Sequence, residues 1–338
     1  MMSFSKKRMR WVSAAAVPLL IALTACSANA PESGGEEQVR VAFLNVSAAN
    51  TYLASARDAM ADYADEENVE ITDFDAKFDA GVQANQIQDV ISSGQYQGVI
   101  LTALDGAGMV PAVQEALDAG LEVVVLNQIV GDRFDTADPQ VDGVAASVVS
   151  PPEITGERLG QLTADACADI DPCRVVYMFG LKGTAFDNAV RAGFDSSVDD
   201  AKNVEIVAEP EGGFLGTDEP LKATQDVIQA TPEFDVLVGS GDQQVKGAQL
   251  ALADAGMSSV KLIGVGGSEP AIAGIKDGTW FGTIALAPAD EGRFAIEAMV
   301  AAIRDSKKTG GIDAVEDLPG GGLITSDNVA DFTAQWKG

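Results

Sequence analysis

Apolar positions along the chain fall into two alternating rhythms. Val39, Val41, Phe43 and Leu44 make a short, nearly continuous run with β-branched character, a polar stretch from Asn45 to Asn50 interrupts it, and Leu53, Ala56 and Met60 then recur at helical spacing. The run predicts a strand covered on both faces, as in a parallel sheet, and the rhythm after it predicts an amphipathic helix. The unit repeats, with strands expected at 69–74, 98–101 and 123–126 and helices at 82–93 and 110–119. Strands alternating with helices of about a dozen residues are the pattern of right-handed βαβ crossovers.

Regularity lapses between Asn127 and Val149, where a short strand is expected at 144–149. Ser150-Pro151-Pro152-Glu153 then reads as a capping-box start, with Ser150 at the N-cap, for a helix over 154–168. A second series follows, with strands at 174–179, 204–208, 236–238 and 260–265 and helices at 184–198, 221–230, 243–255 and 270–276, the last capped by Ser268. A strand at 281–286 and a helix at 291–303 are expected to cross back to the first lobe, and Leu323 to Thr325 to form an edge strand after a Gly-rich stretch. The fold class is therefore α/β: two doubly wound parallel-sheet lobes joined by several crossings. The first lobe is expected over 39–147 with 286–305, and the second over 148–285 with 306–338. In open parallel sheets ligands lie beyond the carboxyl ends of the strands, so the polar loop after the first strand faces the binding site or caps the next helix.

Composition narrows the function. A formal charge of -29 argues against a nucleic-acid surface, which needs clustered cations. The chain has no His, which removes the commonest general base and metal ligand and excludes Ser-His and Cys-His catalysis. Lys6, Lys7, Arg8 and Arg10 precede an apolar stretch from Trp11 to Leu23, the pattern of an export signal. Leu23-Thr24-Ala25-Cys26 resembles a bacterial lipobox, whose Cys is acylated. Residues 1–25 are thus expected to be a lipoprotein signal peptide, and 26–38 a flexible tether. Cys167 and Cys173 flank a helix-to-strand turn. In an oxidising compartment they are expected to form a disulfide, with two free thiols as the alternative; two thiolates are too few for a metal site.

Val41-Ala42-Phe43 with Asn50-Thr51-Tyr52-Leu53, Gly98-Val99-Ile100-Leu101, Gly120-Leu121-Glu122-Val123-Val124-Val125, Gly180-Leu181-Lys182-Gly183-Thr184-Ala185 and Leu262-Ile263-Gly264-Val265 resemble, in that order, the type I periplasmic binding proteins. The resemblance is to their ribose- and galactose-binding branch and runs from about Val39 to Asn328. It implies Rossmann-like lobes joined by three crossover segments that serve as a hinge, and a sugar or polyol captured between them by hinge closure for an ABC importer. The implied partners are that ligand, the permease subunits and, through the lipid anchor, the extracytoplasmic face of the cell membrane. A monomer is expected, with no cofactor and no nucleic acid. Tyr52 alone keeps the aromatic character of the family's Asn-Pro-Phe-Phe turn. Asp105 stands where the family often places a ligand-binding acid, Asn127-Gln128 where it has Asp-Arg, Asn188 near its hydroxyl-gripping Arg, and Gly241-Asp242 where it has Asn-Asp.

The candidate ligand-binding residues are accordingly Asn45, Asn50, Tyr52, Asp105, Asn127, Gln128, Phe186, Asp187, Asn188 and Asp242, with Tyr52 and Phe186 as stacking faces. Amides and carboxylates at these positions suit hydroxyls, and the two family Arg positions read Gln128 and Asn188, so a neutral ligand is expected over a sugar acid or phosphate. Asp105, Asp187, Asp242 and Asp290 also admit a carboxylate-dependent glycosidase, but no spacing singles out a catalytic pair, and no enzyme is expected. A ligand-sensing repressor of related fold needs a basic helix-turn-helix where this chain has an export signal. Delivery to a chemoreceptor or signalling partner stays open beside import. Cys26→Ala is expected to move the protein from the membrane to the soluble fraction; retention of the variant in the membrane would sink the lipid-anchor reading.

Overall fold

The computed structural model describes residues 38–338, so the export signal, Cys26 and nearly all of the tether lie outside the described residues. The chain begins with β1 (Val39–Asn45), α1 (Thr51–Glu66), β2 (Val69–Asp75), α2 (Ala80–Ser93), β3 (Gly98–Leu101), α3 (Gly106–Asp118), β4 (Glu122–Leu126) and β5 (Ala146–Val148). It continues with α4 (Pro152–Cys167), β6 (Cys173–Met178), α5 (Ala185–Val198), β7 (Val204–Ala208), α6 (Asp218–Ala230), β8 (Val236–Gly239), α7 (Asp242–Asp254), β9 (Lys261–Gly266), α8 (Glu269–Asp277) and β10 (Gly282–Ala285). Then come α9 (Pro288–Asp305), β11 (Gly310–Ile312) and β12 (Leu323–Thr325). The strands form two sheets, ordered β11-β5-β4-β3-β1-β2 and β12-β10-β9-β8-β6-β7. All pairings are parallel except that of β12 with β10.

The continuous apolar runs of the sequence have a direct cause. Successive strand residues point to opposite faces, and each sheet is covered on both. In β1, Val41 and Phe43 join the core beneath α1 and α9, whereas Ala42 and Leu44 join the core beneath α2 and α3. The second sheet repeats the division. Val175 and Tyr177 pack with Leu159 and Phe194 from α4 and α5, while Val176 and Met178 pack with Val245 and Ala248 of α7.

Two expectations about the later crossings are corrected, while the break expected between 285 and 286 agrees with the end of β10. The strand expected at 281–286 stays in the second sheet as β10, because its four residues are all buried and pair on one side with β9 and on the other with β12. Only α9 crosses back, to pack on the first sheet. Residues 306–338 do not belong wholly to the second lobe, since β11 adds to β5 of the first sheet. A three-residue strand containing two glycines carries too little pattern to be seen in sequence. Ser150 is not a helix cap; its Oγ donates to Asp313 Oδ1 at 2.9 Å, and α4 starts on Pro151 with no side-chain cap. Cys167 and Cys173 are joined by a disulfide across the turn between α4 and β6.

Helix α9 reaches its place through a close contact. A Cβ built on Gly292 would sit 2.0 Å from the Ala56 carbonyl oxygen, so α1 and α9 meet with backbone against backbone. Gly292→Ala is therefore expected to destabilise the protein by about 1–3 kcal/mol through forced separation of the helices. Thermal melting checks it, and an unchanged midpoint would mean that α1 and α9 can part at no cost.

Candidate functional site

Both sheets turn the carboxyl ends of their parallel strands toward one gap, and a cavity of about 110 Å³ lies there. On the first-lobe side the turn after β1 is held by Asn45, whose Oδ1 accepts from the Ser47 N–H at 3.0 Å. Asn50 ends the turn and caps α1, its Oδ1 accepting from the Leu53 N–H at 3.0 Å. The same side chain also crosses the gap, where its Nδ2 donates to the Phe214 carbonyl at 3.0 Å. The alternatives of cap and cleft residue thus meet in one amide. Tyr52, one residue into α1 from its start, places its ring at the cavity with Leu53, Val46 and Phe78.

After β4, Asn127 adopts a left-handed φ of 64°, a conformation that Asn tolerates better than most side chains. Asn127 and Gln128 both line the cavity from this bend. Across the gap stand Phe186 and Val190 of α5, then Phe214, then Ser240, Gly241 and Gln243 at the start of α7. Leu286 and Trp336 complete the wall. The Trp336 ring meets Tyr52 edge to face, with centroids 5.5 Å apart and an interplanar angle of 76°. Its Nε1 donates to the Gly266 carbonyl at 2.8 Å.

Five of the ten residues expected from sequence therefore line the cavity: Asn50, Tyr52, Asn127, Gln128 and Phe186. The other five are placed elsewhere, each for a local reason. Asn45 is buried under its own turn. Asp105 is exposed and caps α3 through the Gly108 N–H, and Asn188 is exposed on α5. Asp187 is buried and accepts from the Gly180 and Leu181 N–H groups and the Thr184 hydroxyl, tying the β6–α5 loop together. Asp242 is buried and accepts from the Ser268 N–H at 2.7 Å and the Thr283 hydroxyl at 2.8 Å, tying α7 to the ends of β9 and β10. Acids after parallel strands have two uses, and these three brace loops and helix starts.

Among the described residues that line the cavity none is charged. Sequence reading missed Trp336, Phe214 and Gln243. The Gly241-Asp242 motif came one residue short of Gln243, while Trp336 follows no periodic element and Phe214 sits in an irregular loop, so no local pattern marks either.

Behind the wall lies a buried acid. Glu291, at the start of α9, is fully buried; Asn127 Nδ2 donates to its Oε2 at 3.4 Å, and its Oε1 has no hydrogen-bond partner. The pKa of the Tyr52 hydroxyl, also without a formed hydrogen bond, is raised by burial, and ionisation of the neighbouring Glu291 would raise it further. Burial pushes the Glu291 carboxyl up to about 8, against the lowering influence of Tyr52 and Asn127. Burial likewise lifts Asp242 to about 6 and raises Asp187. At neutral pH Glu291 is thus mostly protonated, so the acid directly behind Asn127 and Tyr52 is neutral.

The folded value of Glu291 exceeds its unfolded value of about 4.3, so its contribution to stability is complete below about pH 4.3 and lost as pH rises through about 8. Glu291→Gln keeps the shape without the titration. The variant is expected to melt like the wild type near pH 4 and to gain stability over it as pH rises to 9, by on the order of 4 kcal/mol. Parallel melting profiles for the two proteins across that range would show that Glu291 does not titrate in the fold.

Known proteins share this architecture. An ABC transporter solute binding protein from Mycobacterium smegmatis, solved with bound glycerol, has a TM-score of 0.74 at 24% identity, covering 89% of this chain and 100% of that one. The xylitol-binding protein of Mycolicibacterium smegmatis is 22% identical over 270 residues, 80% of this chain and 73% of the relative. The D-ribose/D-allose-binding protein of Pseudomonas aeruginosa is 25% identical over 309 residues, 88% of this chain and 94% of the relative. The model of the periplasmic binding protein domain matches residues 41–308, from within β1 to just beyond α9, and the chain belongs to that family.

Proposed function

We propose that the protein is the solute-binding component of an ABC importer and captures a neutral, hydroxylated small molecule, a sugar or polyol, in the cleft between its lobes. The observation that carries this reading is the uncharged wall of the cavity, in which amides and hydroxyls stand among aromatic rings. Amides serve hydroxyls in both directions, as donors and acceptors. Aromatic faces suit the C–H surface of a sugar ring. A buried anion would instead need a compensating cation, and the two cations nearest in sequence do not supply one: Arg133 is exposed, and Lys182 is exposed with its Nζ donating to the Glu209 carbonyl. The bound names of its relatives, xylitol and ribose or allose, are of the same chemical class.

Capture by closure is supported by the chain path, which passes between the lobes after β5, after β10 and after β11. A ligand held by both lobes favours the closed arrangement over the open one, which is the differential affinity that closure requires. The reading is of binding without chemistry, by a lipid-anchored extracytoplasmic protein that hands its ligand to permease subunits. Isothermal calorimetry with xylitol, D-ribose, D-allose, myo-inositol, D-glucuronate and D-ribose 5-phosphate tests the ligand class. At least one neutral compound is expected to bind, with the charged ones weaker by about a hundredfold or more. Tight binding of a charged compound with every neutral one silent would overturn the reading.

A further inference from the structure

The polar groups around the cavity are already largely engaged with the protein. Asn50 uses its oxygen on Leu53 and its nitrogen on Phe214. Ser150 donates to Asp313, Thr155 donates to the Pro151 carbonyl, and Gln243 donates through Nε2 to the Phe214 carbonyl at 3.3 Å. The buried polar atoms at the wall with no partner are Gln243 Oε1 and Tyr52 Oη. A ligand thick with hydroxyls would strand several of them against apolar surface, at the cost of unpaired burial.

Trp336 sharpens this imbalance. Its polar edge is turned away, Nε1 being bonded to Gly266, and its own carbonyl accepts from the Glu269 N–H at 3.0 Å. The indole is seated where a side chain on Gly266 would collide, 2.5 Å from Cζ2. Neighbouring Gln335 fixes the segment to the other lobe, its Oε1 accepting from the Ala289 and Asp290 N–H groups and its carbonyl from the Ser55 hydroxyl. What Trp336 offers the cavity is therefore a fixed, apolar part of its ring at the seam of both lobes.

We propose that Trp336 determines specificity, and that the site takes a neutral sugar or polyol with a methyl or deoxy face laid against this ring in preference to its fully hydroxylated counterpart. The inference rests on the neutral-sugar reading above and goes further than it. Matched pairs test it by calorimetry on the full-length protein: D-fucose with D-galactose, L-rhamnose with L-mannose, and 5-deoxy-D-ribose with D-ribose. In at least one pair the deoxy member is expected to bind about tenfold tighter or more, with Trp336→Ala bringing that ratio near unity and Trp336→Phe retaining most of it. With Trp280→Phe, which leaves Trp336 as the sole tryptophan among the described residues, the deoxy ligand is also expected to shift the emission. Equal or tighter binding of the hydroxylated member in every pair overturns the inference and leaves the neutral-sugar reading standing, as does a ratio that Trp336→Ala does not change. Silence from all six neutral sugars and from the neutral compounds of the earlier panel overturns both. Should Trp336→Ala fail to fold, the wild-type ratios and Trp336→Phe decide the matter.

Discussion

Two parallel sheets have to present the same ends of their strands to a single gap, and the rest of the molecule follows from how the chain satisfies that demand. Parallel strands need helical crossovers, so each sheet is sandwiched between helices and its residues are apolar on both faces. Their carboxyl ends then emerge from a dry core into short loops, where backbone and side-chain polar groups must find partners. The first sheet is finished only by β11 and the second only by β12, both drawn from beyond α9. Neither lobe is made from one continuous piece of chain, which keeps the two lobes in register across the cleft while leaving a small number of segments to bend.

The cleft itself is organised by neutral hydrogen bonding. The Phe214 carbonyl accepts from Asn50 of the first lobe and from Gln243 of the second, so one backbone oxygen joins both walls. The acids that the loops carry are turned inward to brace those loops: Asp187 on β6–α5, Asp242 on the ends of β9 and β10. Glu291, behind Asn127 and Tyr52, is kept from ionising by burial. On a chain of formal charge -29, this sequestration leaves the wall of the cavity free of charged side chains.

Local pattern carried most of the architecture. The βαβ series, the capping of α8 by Ser268 and the edge strand at Leu323–Thr325 follow from period, cap chemistry and punctuation, and each involves residues close in sequence. Asn50 and Tyr52 were legible because the loop after a parallel strand borders the gap or caps the next helix, while Asn127, Gln128 and Phe186 came from matching the family's motifs at corresponding strand ends.

What the sequence by itself determined is therefore the set of elements, the class of fold and the loops that border the cleft, all consequences of interactions within about a dozen residues. Tertiary structure decided that Asp187 and Asp242 brace loops and helix starts instead of lining the cavity, since the two uses demand the same residue at the same place and differ only in what lies opposite. It alone brought Trp336 to Tyr52 and Glu291 to Asn127, pairings between residues far apart in the chain that no periodicity encodes. Packing across the gap assigns those roles, because burial and hydrogen-bond partners depend on the surface that each side chain meets.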